Sequence, residues 1–238
     1  MSSLVRGLRG LTPARVSLGT AGRSLATEEV LRFQLDHARA RDAVRAELGV
    51  GGFARRLRDE VGVEVVELRS RARDRAEYLR HPELGRALGT TEGLVRGDWD
   101  LGIVVCDGLS SLAVERNVVP LLSALLPMLE GWSVGPVAVV AQGRVAVGDE
   151  VGERMGARCC LVLIGERPGL SAADSLGAYL TWGPRVGRTD AERNCLSNIR
   201  VGGLDVDGAA GRLMGLLRGA RARGGSGVGL KEGVLRLG

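Results

Sequence analysis

Leu101-Gly102-Ile103-Val104-Val105-Cys106 is an almost unbroken apolar run that stops abruptly at Asp107-Gly108. Two more runs of this kind follow. Val137-Ala138-Val139-Val140-Ala141 comes after Pro136, and Cys159-Cys160-Leu161-Val162-Leu163-Ile164 ends in Gly165-Glu166-Arg167-Pro168-Gly169. The intervening segments, Ser110 to Leu129 and Asp149 to Met155, carry apolar residues at helical spacing. Short apolar runs alternating with helices indicate strands buried on both faces, hence a parallel sheet with helices on either side. The reading is an α/β fold with a Rossmann-like, mostly parallel sheet over about residues 90–215. Such sheets place ligands where loops leave the carboxyl ends of the strands. Three loops stand there: Asp107-Gly108-Leu109-Ser110, Gln142-Gly143-Arg144-Val145 and Gly165 to Ser171.

Outward from this core, residues 11–89 read as a mainly helical N-terminal region. Residues 1–10 form a frayed tail, and Thr12-Pro13 opens a segment ending near Gly22. Thr27 suits a helix N-cap, with Glu28 and Glu29 in the first turn; that helix should run to about Leu48 and stop at Gly49. A short amphipathic helix over Phe53–Val61, a short strand over Val63–Leu68 and proline-interrupted helical turns over 75–88 follow. After the core domain, residues 216–238 complete a helix and enter a tail whose Arg223-Gly224-Gly225-Ser226-Gly227 stretch predicts mobility.

Composition narrows the function classes. Hydrophobic content is 45% but aromatics only 3%, so the core rests on Leu, Val and Ala. No apolar run approaches the roughly 20 residues of a membrane span, and the start has no apolar stretch of a secretion signal. A cytoplasmic location is expected. The net charge of +5 comes almost wholly from arginines interleaved with acids, Lys231 being the only lysine. That interleaving and the scarcity of stacking aromatics argue against nucleic acid as a partner. The four cysteines include no Cys-x-x-Cys pair, and His37 and His81 lie far from them in sequence, so no metal site is expected. Cys106, Cys159 and Cys160 sit in apolar runs as small buried hydrophobes, whereas Cys195 stands among polar residues. A nucleophilic cysteine needs a base, and neither histidine has a motif that supplies one.

Each strand-end loop has two readings. Asp107 can accept backbone donors, Gly108 can take positive φ, and Ser110 or Ser111 can cap the next helix, which makes a well-built turn or a binding loop. The glycines of Gln142-Gly143-Arg144-Val145-Ala146-Val147-Gly148-Asp149 either shape a turn into a helix capped by Asp149 or admit a bulky ligand. In the third loop Pro168 and Gly169 stiffen the chain, Glu166 and Arg167 pair with each other or with a ligand, and Ser171-Ala172-Ala173-Asp174 looks like the start of a helix.

Taken in order, these motifs resemble the light chain of ethanolamine ammonia-lyase. The resemblance rests on Val105 to Ser110, Gly143-Arg144-Val145, Gly152-Glu153, Gly165 to Leu170, Asp174-Ser175-Leu176 and Arg193-Asn194-Cys195-Leu196-Ser197-Asn198-Ile199. Thr12 to Val16 and Asp36 to Asp42 fit the same family, so the match spans roughly residues 11–220. It implies a small subunit, without catalytic residues of its own, in a hetero-oligomer with a large TIM-barrel subunit. That subunit would carry the catalysis, and the two would enclose adenosylcobalamin between them. The implied complex is a carbon–nitrogen lyase that converts ethanolamine to acetaldehyde and ammonia, with radical chemistry supplied by the cofactor. Val145, Glu166 and Cys195 match the family's cobalamin-binding positions. The Asp-x-His-x-x-Gly motif of base-off cobalamin folds is absent, so the resemblance implies base-on binding. It also implies a bacterial microcompartment as a further location. The alternative, read from the fold alone, is a stand-alone Rossmann-like enzyme that binds another nucleotide or small molecule through Asp107 and Glu166.

Overall fold

The computed structural model describes residues 20–21 and 24–230. The expected tail over 1–10 and nearly all of the segment from Thr12 to Gly22 lie outside the described residues, as does the chain after residue 230. A two-residue antiparallel ladder, Thr20–Ala21 with Ser24–Leu25, precedes the first helix.

Helix α1 spans Thr27–Arg45 and α2 spans Val50–Val61. Strand β1 (Val65–Arg69), helix α3 (Arg75–Arg80) and a 3-10 turn (Leu84–Arg86) lead into β2 (Trp99–Cys106). Then come α4 (Ser111–Leu125), β3 (Val137–Ala141), α5 (Val147–Met155) and β4 (Ala157–Gly165). Strands β5 (Leu176–Trp182) and β6 (Arg193–Ile199) precede the last long helix, α6 (Val206–Arg223).

The six strands form one sheet in the order β1-β3-β2-β4-β5-β6. The first four are parallel; β5 and β6 are antiparallel additions at one edge. The three apolar runs are the three central strands, with Val105 in register with both Val139 and Leu163. Because side chains alternate across a strand, Leu101, Ile103 and Val105 pack under α2, α4 and α6, while Val104 and Cys106 pack under α5. Burial on both faces is what the unbroken apolar runs require, and the mostly parallel α/β reading holds. The sheet also takes in β1, from the segment before residue 90.

Several local expectations are corrected. Thr27 is the first helical residue of α1 rather than its cap: Ala26 precedes it with no side-chain cap bond, and the helix ends at Arg45. Asp149 does not cap α5, which begins at Val147; its carboxylate turns inward. Ser171 starts no helix. After the Gly165 loop the chain reverses into β5, because Gly169 and Ala172 bridge to each other and Glu166 N–H donates to Ser175 C=O. The polar Cys195 segment is edge strand β6. Finally, the glycine stretch after α6 is docked. Ser226 Oγ donates to Glu192 C=O at 2.5 Å, and Asn194 Nδ2 donates to the carbonyls of Gly227 and Leu230 at 3.2 and 2.8 Å. Asn194, whose side chain leaves the sheet edge here, supplies what the glycines lack.

Candidate functional site

The carboxyl ends of β2, β3 and β4 are stitched together by short polar turns. Asp107 leaves β2, and its Oδ1 accepts the Gly143 N–H from the loop after β3 at 3.2 Å. Gly108 has φ of 56°, and a Cβ there would sit 2.2 Å from the Gly165 carbonyl, so only glycine fits between the β2 and β4 turns. Leu109 N–H donates to that same Gly165 carbonyl, and Ser110 caps α4 through the Ala113 N–H. The turn expected from Asp107-Gly108-Leu109-Ser110 is therefore built as the residue types suggested.

Beneath these tips lies a buried polar cluster. Arg75, on α3, reaches Asp107 at 3.4 Å and donates to Gly108 C=O at 2.8 Å, to Gln142 Oε1 at 3.2 Å and, through Nε, to Val44 C=O at 2.8 Å. Its Nη2 is buried without a partner. Burial pushes the Asp107 carboxyl up to about 6, against the opposing pull of Arg75 and of backbone N–H groups from Gly143, Gln142 and Gly108. Gln142 holds the loop in a positive φ of 56°, which a side chain adopts only when its surroundings impose it. Tyr78 donates its hydroxyl to Gly143 C=O at 3.0 Å and lies between two guanidinium groups, those of Arg75 (4.9 Å) and Arg144 (4.4 Å). Neither Arg75 nor Tyr78 was marked by the sequence as more than part of a helical turn. Their shared role depends on α3 folding back over the strand tips.

Two clefts open above this cluster. The first, of about 410 Å3, is lined by Gly108, Val145, Ile164, Gly165, Glu166 and Tyr179, among others. The second, of about 490 Å3, runs along Arg86, Arg144, Val145, Tyr179, Arg188 and Arg193. Arg144, Val145 and Tyr179 belong to both, so the two adjoin.

The structure brings Val145 and Glu166 to one cleft wall. Glu166 forms no ion pair with Arg167 among the described residues. Its carboxylate instead accepts Ser175 Oγ and Ser197 Oγ, both at 2.5 Å, and Asn198 N–H at 3.2 Å. That leaves one of roughly four lone-pair directions for a further donor. Cys195 lies one strand further out and lines neither cleft, but it is the register partner of Tyr179 on β5 and bonds to it through the side chain. Burial raises the Cys195 thiol above its usual pKa, partly offset by that bond, which is opposite to the shift that makes a cysteine nucleophilic. The glycines at 143 and 148 do not open onto the clefts: a Cβ at either would collide with Cys106 or Val162 of the core. The other three cysteines are buried, as expected.

A second buried pair braces the outer wall. Arg193, on β6, meets Asp149 of α5 through two bonds of 2.7 Å and donates to Thr181 Oγ1 at 2.9 Å and Arg188 C=O at 3.0 Å. Among the described residues no helix is long and apolar enough to cross a membrane, and no group of three or more His, Cys, Asp or Glu residues is placed to hold a metal.

The family model described as Ethanolamine ammonia-lyase light chain (EutC) matches residues 2–231. The chain belongs to the ethanolamine ammonia-lyase light-chain family. Relatives named ethanolamine ammonia-lyase small subunit include one from Ralstonia nicotianae, 50% identical over 237 residues, covering 95% of this chain and 87% of the relative. The one from Azotobacter vinelandii is 52% identical over 235 residues, covering 94% and 87%. That from Bradyrhizobium diazoefficiens is 52% identical over 233 residues, covering 94% and 89%. The light-chain family is one of enzyme subunits, so the strand-tip clefts belong to one component of a larger enzyme.

Proposed function

We propose that this chain is the small subunit of an adenosylcobalamin-dependent ethanolamine ammonia-lyase and forms one wall of the cofactor site against a large TIM-barrel subunit. Family membership over residues 2–231 carries the proposal. The geometry fits a large cofactor in two respects. The two adjoining clefts, of about 410 and 490 Å3, are wide and shallow rather than enclosed, as a half-site completed by a partner would be. A buried polar atom, Arg144 Nε, also lacks a partner on that wall.

In this reading Val145 packs against the corrin, Glu166 accepts a hydrogen bond from a corrin amide, and Cys195 contributes contact from the edge strand beside Tyr179. Ser175, Ser197 and the Asn198 N–H hold the Glu166 carboxylate in place, which costs little reorganisation on binding. Adenosylcobalamin supplies the radical chemistry when bound. The substrate and the groups that act on it lie on the large subunit, and the complex turns ethanolamine into acetaldehyde and ammonia. The complex works in the cytoplasm, free or inside a bacterial microcompartment.

The purified chain, given ethanolamine and adenosylcobalamin, should yield no acetaldehyde until the large subunit is added. It should also co-purify with a barrel-sized partner as a cobalamin-coloured complex. Acetaldehyde production by the chain alone, or a colourless active complex, overturns the proposal.

A further inference from the structure

The second cleft carries four arginines, and their pairing sorts them. Arg188 is bonded to Glu192, and Arg193 is held by Asp149, with the Asp190 carboxylate 3.5 Å from its Nε. Arg86 and Arg144 have no acidic partner among the described residues, so the four guanidinium groups outnumber the carboxylates of Glu192, Asp149 and Asp190 and the cleft stays net positive. The backbones of Arg86 and Arg144 are tied together where the turn after α3 meets the loop after β3. Arg144 N–H donates to Gly85 C=O at 2.7 Å, and Gly85 sits so close that a Cβ would lie 2.9 Å from Arg144 Cγ and 2.8 Å from Tyr78 Cε2. Tyr78, itself pinned to Gly143, supports the Arg144 guanidinium from below at 4.4 Å. Arg144 Nε is buried with its donor unsatisfied, which costs free energy unless an acceptor arrives.

We infer that Arg86 and Arg144 form an anion subsite for a phosphodiester, namely the one that joins the nucleotide tail of cobalamin to its corrin. The inference rests on the proposed cofactor role. A ligand seated on Val145 and Glu166 has only to extend past Tyr179 to reach the cleft that Arg86 and Arg144 line, because the two clefts adjoin there. Planar guanidinium donors suit phosphate oxygens, and Arg144, braced over Tyr78, is already placed to receive one.

The test compares cobalamin with cobinamide, the corrin lacking the phosphate-bearing tail, by equilibrium dialysis against the chain assembled with its large subunit. Arg86→Met with Arg144→Met should weaken cobalamin about tenfold or more and leave cobinamide unchanged. Arg86→Lys with Arg144→Lys should keep most of the cobalamin affinity. Arg86→Met alone, at an exposed position, should give a smaller loss with the same selectivity and serves if the double variant does not fold. Equal weakening of both corrinoids, or no weakening of cobalamin, overturns the inference while the cofactor role stands. A wild-type complex that binds neither corrinoid overturns the cofactor role itself. Adenosine monophosphate should not displace cobalamin; tight binding of that nucleotide in its place overturns the assignment of the subsite to cobalamin.

Discussion

The parallel half of the sheet and its antiparallel edge each bury one arginine–aspartate pair, and the two are built differently. At the edge, Arg193 and Asp149 meet through two short parallel bonds, and the same terminal nitrogens reach Thr181 and a backbone carbonyl, while Nε is buried without a hydrogen bond. The Asp149 bonds hold the Arg193 guanidinium protonated, raising its pKa. At the parallel strand tips, Arg75 and Asp107 approach only to 3.4 Å, and burial keeps the Asp107 carboxyl near about 6. The difference follows from what each pair joins. Arg193 stands on a strand fixed by its ladder and clamps a helix to it. Arg75 comes from the six-residue helix α3 and must serve four acceptors on three separate segments. Rigidity at the edge thus backs a wall, whereas the looser cluster lies under the strand-tip loops that line the candidate site.

Asp149→Ala tests the clamp most severely, since it strands Arg193 in the interior. It should lower unfolding free energy by about 3–5 kcal/mol in denaturant titrations, and replacing both partners by Leu and Met should recover most of that loss. A double replacement as unstable as the single would mean that the charge pair is not what matters there.

The looser pair should show itself in pH. The folded Asp107 holds its proton more tightly than the unfolded chain does, so its contribution to stability is full below pH about 4 and is lost as pH rises through about 6. Asp107→Asn should remove that slope, so that variant and parent diverge by about 3 kcal/mol across this window and run parallel above it. Curves that run parallel throughout would show an ordinary carboxylate. Gly85→Ala, which presses a methyl on Tyr78 and Arg144, should cost about 1–2 kcal/mol, the lower part of the range for overpacking because the Arg144 stem can yield. The smallest expected change is in Glu166→Gln. Two hydroxyl donors face this carboxylate, so a stability loss of about 1 kcal/mol is expected. Its main effect should be on cobalamin affinity in the assembled complex.

Residues 99–165 were the most legible part of the chain. Strands β2, β3 and β4 are apolar at successive positions because both faces are covered, and no alternation is left to misread. The edge was harder. Strand β6 is half polar because one side of it faces solvent, so Arg193 to Ile199 read as a hydrogen-bonding stretch without a secondary structure. The same exposure hid the reversal after Gly165. Ser171-Ala172-Ala173-Asp174 has the residue types of a helix start, but the chain is committed to pairing Leu176 with Gly165 across β4 and β5.

Of the candidate site, Val145 and Glu166 were placed at strand ends by reading the runs, and they line one cleft. What the order of residues could not convey is which distant groups would join them. Tyr78 and Arg75 arrive from a helix that looked unremarkable. Arg86 becomes Arg144's neighbour only because Gly85 bonds to the loop after β3. Apolar periodicity specifies which faces are buried, since burial of nonpolar surface is local and additive. Which charges end up side by side depends on crossovers between segments tens of residues apart, so the alternation of strands and helices could be read from the chain while the arginine-lined wall appeared only once it was folded.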